Sequence, residues 1–133
     1  MNSSIRRQIR ASIAVKEALL ADAALSGMLQ AIVDAAVGAY RQGGKLLLAG
    51  NGGSAGDAQH IAGEMVNRFL FDRPGLPAIA LSSDPSVVTA ISNDVGFDRV
   101  FARQVEALGR AGDVFLAITT SGRSPNILCA LAA

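Results

Sequence analysis

The sequence predicts an α/β fold, a doubly wound parallel sheet with helices on both faces. Two observations predict it. Three short apolar runs, Lys45-Leu46-Leu47-Leu48-Ala49, Pro77-Ala78-Ile79-Ala80-Leu81 and Asp113-Val114-Phe115-Leu116-Ala117-Ile118, show no alternation of apolar and polar residues. Continuous runs of this length suit strands buried on both faces. Helical patterns separate the runs, and strands that alternate with helices imply right-handed crossovers in a parallel sheet.

The elements follow in order. Over residues 3–23 the apolar residues Ile5, Ile9, Ile13 and Leu20 recur at helical spacing. Ser26 is placed to cap a second helix through Leu29, Ile32, Val33, Ala36, Val37 and Tyr40, which Gly43-Gly44 stops. Residues 1–42 thus read as a helical hairpin that covers the domain or pairs with a copy of itself, and residues 43–133 as an α/β core. After the first strand a helix is expected over 54–71. After the second, Asp84 is the expected cap and Pro85 the first residue of a helix to Asn93. Residues 97–108 read as one further helix, stopped by Gly109. Ser124-Pro125 opens a last helix, which the chain occupies when it reaches Ala133. Three strands make a thin sheet, so the chain is expected to be part of a longer domain or to be completed by partner chains.

Composition narrows the function classes. The chain has 133 residues, enough for one domain. Half are hydrophobic and 17% charged, which argues against disorder. Lys plus Arg is 12 and Asp plus Glu 11, so the basic excess of a nucleic-acid binder is missing. Aromatic residues are 5% with no Trp, too few for a base-stacking platform. So much apolar surface in a small domain points to burial against other subunits. Cys129 is alone, which fits a reducing compartment and a small core residue. No apolar run approaches the roughly 18 residues of a membrane helix. Arg6, Arg7 and Arg10 precede an apolar stretch that Lys16, Glu17 and Asp22 interrupt, a poor signal-peptide core. A soluble cytoplasmic protein, with neither nucleic acid nor membrane as partner, is the expectation.

Ligands of open α/β sheets bind beyond the carboxyl ends of the strands. Three loops fall there: 50–54, 82–84 and 119–124. The first reads Gly50-Asn51-Gly52-Gly53-Ser54-Ala55-Gly56-Asp57. Glycines let the backbone approach an anion, and the following helix offers free N–H groups. Gly50-x-Gly52-x-x-Ala55 matches part of the dinucleotide fingerprint, but the acidic residue due about 20 positions on is absent. The third loop reads Thr119-Thr120-Ser121-Gly122-Arg123-Ser124-Pro125-Asn126. One cap needs one hydroxyl and four are present, so the loop is read as a cradle for a phosphate monoester. His60 and Glu64 share one helix face one turn apart. Such a pair binds a metal, serves as a base beside a sugar, or makes a plain surface contact; its place near the presumed pocket favours the first two. Asn93-Asp94 is a helix-end turn, or a polar contact to a sugar hydroxyl if it faces the pocket.

Taken together these residues closely resemble the phosphoheptose isomerases. The stretches that carry the likeness are Leu48-Ala49-Gly50-Asn51-Gly52-Gly53-Ser54-Ala55, Asp57-Ala58-Gln59-His60-Ile61-Ala62-Gly63-Glu64, Asn67-Arg68-Phe69, Arg73-Pro74-Gly75-Leu76-Pro77-Ala78, Thr89-Ala90-Ile91-Ser92-Asn93-Asp94 and Thr120-Ser121-Gly122-x-Ser124-Pro125-Asn126. The resemblance implies a three-layer αβα parallel sheet of the sugar isomerase (SIS) type with an N-terminal helical hairpin. It implies isomerisation of sedoheptulose 7-phosphate to a mannoheptose 7-phosphate through an enediol, for surface-polysaccharide precursors. Asn51, Gly52 and Gly53 would touch the substrate, with Ser54 near its phosphate. Thr119, Thr120, Ser121 and Ser124 would hold that phosphate, and Asn93 and Asp94 would contact the sugar chain. Glu64 would move the proton between C1 and C2, and His60 and Glu64 would ligate Zn2+. The family forms homotetramers with sites at subunit interfaces. Its members continue past residue 133 to a Gln and a His that complete the metal site and supply a second acid/base group, so the SIS domain is expected to be C-terminally truncated here, and these 133 residues alone are expected to hold the phosphate cradle but to turn over little or nothing.

A second reading is a non-catalytic SIS protein that binds a sugar phosphate or a protein, as the replication initiator-associating relatives do. Those lack the acidic residue at the position of Glu64 and interrupt the hydroxyl loop; this chain keeps Glu64 and Ser121. A nucleotide-binding regulator is a third, supported by the glycine loop alone.

Overall fold

The computed structural model describes residues 3–133. They fold into two compact units, divided between residues 35 and 36. In the first, helix α1 (Ser3–Ala21) and the greater part of α2 (Ala23–Arg41) follow one another with Asp22 alone between them; the expected hairpin is not seen, since every described residue up to 35 is exposed and neither helix buries a face on the other. Asp22, not Ser26, caps α2: its Oδ1 accepts the Leu25 N–H at 2.9 Å. The carboxylate sits three residues ahead of the N–H it serves, the spacing a cap needs. Among the described residues α1 buries none, and Ile5, Ile9, Ile13, Leu29, Ile32 and Val33 stand exposed. Contrary to the sequence expectation, α2 is long and apolar enough to cross a membrane by length and composition. Alanine and glycine dilute its larger apolar residues, so no continuous run flags it. Gln30 donates to Asp34 at 2.9 Å in its middle, a polar pair that hydrocarbon would penalise.

The second unit carries a three-stranded parallel sheet in the order β2-β1-β3, with β1 at Leu46–Gly50, β2 at Ala78–Ala80 and β3 at Val114–Ile118. Every residue of β1 is buried, as a central strand covered on both faces requires. Alternate residues feed two cores. Leu46 and Leu48 pack with Ala58 and Ala62 of α3 (Gly53–Val66), and Ala36 and Tyr40 join that layer. Leu47 and Ala49 pack on the other face with Leu81, Val100, Phe101 and Ile127. That layer is built from α4 (Pro85–Asp94), α5 (Ala102–Leu108) and α6 (Pro125–Leu131). The result is the three-layer αβα arrangement.

Two helices are shorter than their patterns. α3 ends at Val66 rather than near residue 71, because Arg73 turns back onto it. One guanidinium nitrogen donates to Glu64 O at 2.8 Å and the other to Met65 O at 2.8 Å. These bonds satisfy carbonyls that a further turn would have used. A Cβ at Gly75 would stand 2.6 Å from Val66 O, so only glycine lets the returning strand pass so close. Residues 97–108 break into a 3-10 turn, Phe97–Arg99, and α5. Val100 and Phe101, between them, are buried at 0% and 3% exposure, and anchoring both in the core bends the chain. Asp84 caps α4 as expected, accepting from Ser86 N–H at 2.9 Å and Val87 N–H at 3.1 Å.

Candidate functional site

The strand order places the site. From β1 the chain crosses through α3 to β2 on one side; from β2 it returns through α4 and α5 to β3 on the other. The loops after β1 and β3 therefore leave neighbouring strands in opposite directions, which opens a crevice at the carboxyl edge. The glycine loop and the hydroxyl loop are those two loops.

At Gly50 the first loop folds tightly over the start of α3. A Cβ there would lie 2.5 Å from the backbone C and O of Ser54. Gly52 holds a positive φ of 56° as the residue before α3. Gly52 and Gly53 are exposed, and Ser54 is half-buried in the first turn. In the hydroxyl loop the side chains converge: Thr119 Oγ1 lies 3.4 Å from both Ser121 Oγ and Ser124 Oγ. Gly122 N–H donates to Thr119 Oγ1 at 3.3 Å and Arg123 N–H to Ser121 Oγ at 3.1 Å. Thr120 is exposed beside them. Ser124 stands at the cap position of α6, but its hydroxyl caps no helix N–H among the described residues and turns to Thr119 instead. A hydroxyl held by other hydroxyls rather than by its own helix keeps capacity to donate outward.

The two loops are joined by side chains. Asn51 Nδ2 donates to Asn126 Oδ1 and Asn126 Nδ2 donates back to Asn51 Oδ1, each at 2.9 Å. The Asn51 carboxamide is thus turned to protein. The loop at 82–84 is tied in by Gln59, whose Nε2 donates to Ser82 Oγ at 3.3 Å. The sequence reading gave no role to Asn126 or Gln59, and neither carries a local signal: their partners are 75 and 23 positions away.

Asn93 and Asp94 lie at the end of α4, exposed, with Asn93 Nδ2 donating to Asp94 Oδ1 at 2.8 Å. The 3-10 turn that follows packs on α6, the helix the hydroxyl loop leads into.

His60 and Glu64 stand further along α3, on its outer face. His60 Nε2 is 3.8 Å from Glu64 Oε1, with the two side chains 76% and 32% exposed. They line a hollow of about 250 Å3 with Ile61, Met65 and Phe69. No residue of the hydroxyl loop lines it, and at about 1.5 Å of rise per residue Glu64 lies about 16 Å along the helix from Gly53. As nitrogen and oxygen donors on one helix face, His60 and Glu64 fit half of a four-coordinate zinc site. Among the described residues no third His, Cys, Asp or Glu joins them. A larger hollow, about 580 Å3 among Ile79, Val87, Ile91, Gln104 and Leu108, sits at the β2 edge of the sheet and contains none of the hydroxyl-loop residues.

Comparison with known proteins gives a consistent set of relatives. The SIS domain family model matches residues 10–133. A protein of Aneurinibacillus thermoaerophilus named phosphoheptose isomerase is 55% identical over 131 residues, 98% of this chain and 66% of its own. One of Burkholderia pseudomallei with the same name is 60% identical over 116 residues, 87% of this chain and 59% of its own. The structure of a phosphoheptose isomerase from Francisella tularensis superposes with a TM-score of 0.89 at 43% identity, covering 99% of this chain and 69% of that one. The chain spans about three-fifths to two-thirds of the length of the curated relatives it matches.

Proposed function

This chain belongs to the SIS domain family, and from that premise we propose that it is an aldose–ketose isomerase acting on sedoheptulose 7-phosphate. The observation that carries the reading is the convergence of the Thr119, Ser121 and Ser124 hydroxyls opposite the glycine loop at the point where the strand order reverses. That is a cradle for a phosphate monoester, and the relatives named phosphoheptose isomerase supply the sugar.

The phosphate, gripped remotely by Ser54, Thr119, Thr120, Ser121 and Ser124, would hold the sugar in place for the reaction at its other end. There Glu64 takes a proton from C1, the electron pair forms the C1=C2 bond of an enediol, and the C2 oxygen gains a proton. Returning a proton to C2 while the C1 hydroxyl loses its own leaves the aldose. Asn93 and Asp94 would contact the chain of hydroxyls between. His60 and Glu64 would supply two ligands of a Zn2+ ion, which when bound polarises sugar oxygens as a Lewis acid.

A second copy belongs to the same proposal. The hollow that Glu64 lines holds no residue of the hydroxyl loop, and a homotetramer brings one subunit's carboxylate to another's cradle. The exposed apolar residues of α1 and α2 support such an assembly. We place the reaction in the cytoplasm, in synthesis of heptose precursors for lipopolysaccharide. The non-catalytic reading is not favoured, since Glu64 and Ser121 are both present.

The test is direct. A form of the protein that carries the family's C-terminal Gln and His, incubated with sedoheptulose 7-phosphate, should yield the mannoheptose 7-phosphate by NMR, and unphosphorylated sedoheptulose should react far more slowly. No product, or equal rates on both sugars, would remove the reading.

A further inference from the structure

We propose that Asn126 is the positioning residue of the phosphate cradle, acting through Asn51 to fix the separation of the glycine loop and the hydroxyl loop. The inference rests on the isomerase reading above. The β1–β3 ladder ends at the Gly50–Ile118 pair. Beyond it, among the described residues, no backbone hydrogen bond joins the two loops. The reciprocal amide pair, two bonds of 2.9 Å, is the first link past the ladder.

The two partners are held unequally. Asn126 is 2% exposed and is followed by Ile127 at 0%, so the core fixes it. Asn51 is half-buried in a loop whose neighbours Gly52 and Gly53 are exposed. Asn126 therefore acts as the anchor, and the glycine loop is the element it holds. The residue type is dictated by the double bond: each side must offer one donor and one acceptor, which a carboxamide does and a carboxylate does not. Asp at position 126 would set an oxygen against Asn51 Oδ1 and keep at most one of the two bonds. A cradle whose halves come from two loops binds well only when their spacing is set before the ligand arrives.

The experiment compares Asn126→Ala, Asn126→Asp, Asn51→Ala and the double alanine variant with the unaltered protein. Three quantities are read: KM for sedoheptulose 7-phosphate, kcat, and the Kd of inorganic phosphate by titration calorimetry. Asn126→Ala and Asn126→Asp should raise KM and the phosphate Kd about tenfold, with kcat within about twofold, and Asn51→Ala should raise the phosphate Kd to the same extent. The double variant should be no worse than either single one, because both remove the same link. A lower Tm with KM and Kd unchanged would mean a merely structural amide and would overturn the proposal, as would additive effects. Should Asn126→Ala fail to fold, Asn51→Ala removes the same link from the more exposed side. The phosphate titration separates the two ideas. Unaltered protein that carries the C-terminal Gln and His and binds phosphate but turns nothing over sinks the isomerase reading, and the Kd values still decide the role of Asn126.

Discussion

Replacing Asp113 with Ala removes a clamp at the amino edge of the sheet, opposite the site. Asp113 Oδ1 accepts the Lys45 N–H at 2.9 Å, and Oδ2 accepts the Arg110 N–H at 2.9 Å and pairs with the Lys45 ammonium. The clamp thus joins the entry to β1 to the entry to β3. Its side chains are 8% and 19% exposed, so water competes little for the carboxylate and somewhat more for the ammonium. A hydrogen bond to a charged group nets about 1.5–3 kcal/mol. Breaking a fully buried pair loses about 3–5 kcal/mol. Because Lys45 can turn to water, the lower end applies, and we expect a loss of about 3 kcal/mol. For a domain of this size that is a fall of roughly 10 °C in Tm.

Urea melts at pH 7 measure the loss, and melts across the acid range measure its origin. The hydrogen bond from Lys45, and then those from the Lys45 and Arg110 backbone, hold the Asp113 carboxyl below its ordinary 3.8, against the opposing effect of burial. The unfolded chain therefore binds this proton more readily than the folded one. The stabilisation is complete above about pH 5 and drains away as pH falls through 3.8 toward the lower folded value. Asp113→Ala should be destabilised at pH 7 and should lose less than the unaltered protein on acidification. A loss under about 1 kcal/mol, or an unchanged acid limb, would refute the reasoning.

Four further outcomes follow from the same structure. In a form that carries the family's C-terminal Gln and His, Glu64→Gln should lower turnover about a thousandfold while phosphate binding by calorimetry stays intact; near-normal turnover would remove Glu64 from the chemistry. Gly50→Ala should destabilise by about 3 kcal/mol or more in urea melts, since nothing near the Ser54 backbone yields to a Cβ. Arg73→Ala should lose about 1–2 kcal/mol and speed amide exchange at the end of α3, whose Glu64 and Met65 carbonyls it holds. Tyr40→Phe should cost nothing, or stabilise by up to about 1 kcal/mol. The Tyr40 hydroxyl is buried without a hydrogen-bond partner among the described residues, and burial pushes its pKa up.

What the sequence made legible was local. Leu46-Leu47-Leu48-Ala49 announces a central strand because parallel sheets bury both faces, and β1 does so. Asp84-Pro85 announces a helix start because cap and ring act within three residues, and α4 begins there. The glycine and hydroxyl loops were legible as two candidate anion sites because their chemistry is written in consecutive residues. What was hidden depended on distance. The end of α3 is set by Arg73 reaching back over eight and nine positions, so helical periodicity alone overran it. The break before α5 is set by Val100 and Phe101 sinking into a core formed by other elements. Asn126 looked like one polar residue in a helix start, and its partner stands on the other loop. The likeness to known isomerases pointed to Glu64, and the hollow that its carboxylate lines holds no residue of the hydroxyl loop.

The most direct test is a crystal structure of the protein grown with sedoheptulose 7-phosphate. The phosphoryl oxygens should lie within hydrogen-bond distance of Ser121 and Ser124, with a Glu64 carboxylate, contributed by a neighbouring subunit, against C1 and C2 of the same sugar. A phosphate seated elsewhere, or a reacting end that no subunit's Glu64 approaches, would contradict this placement.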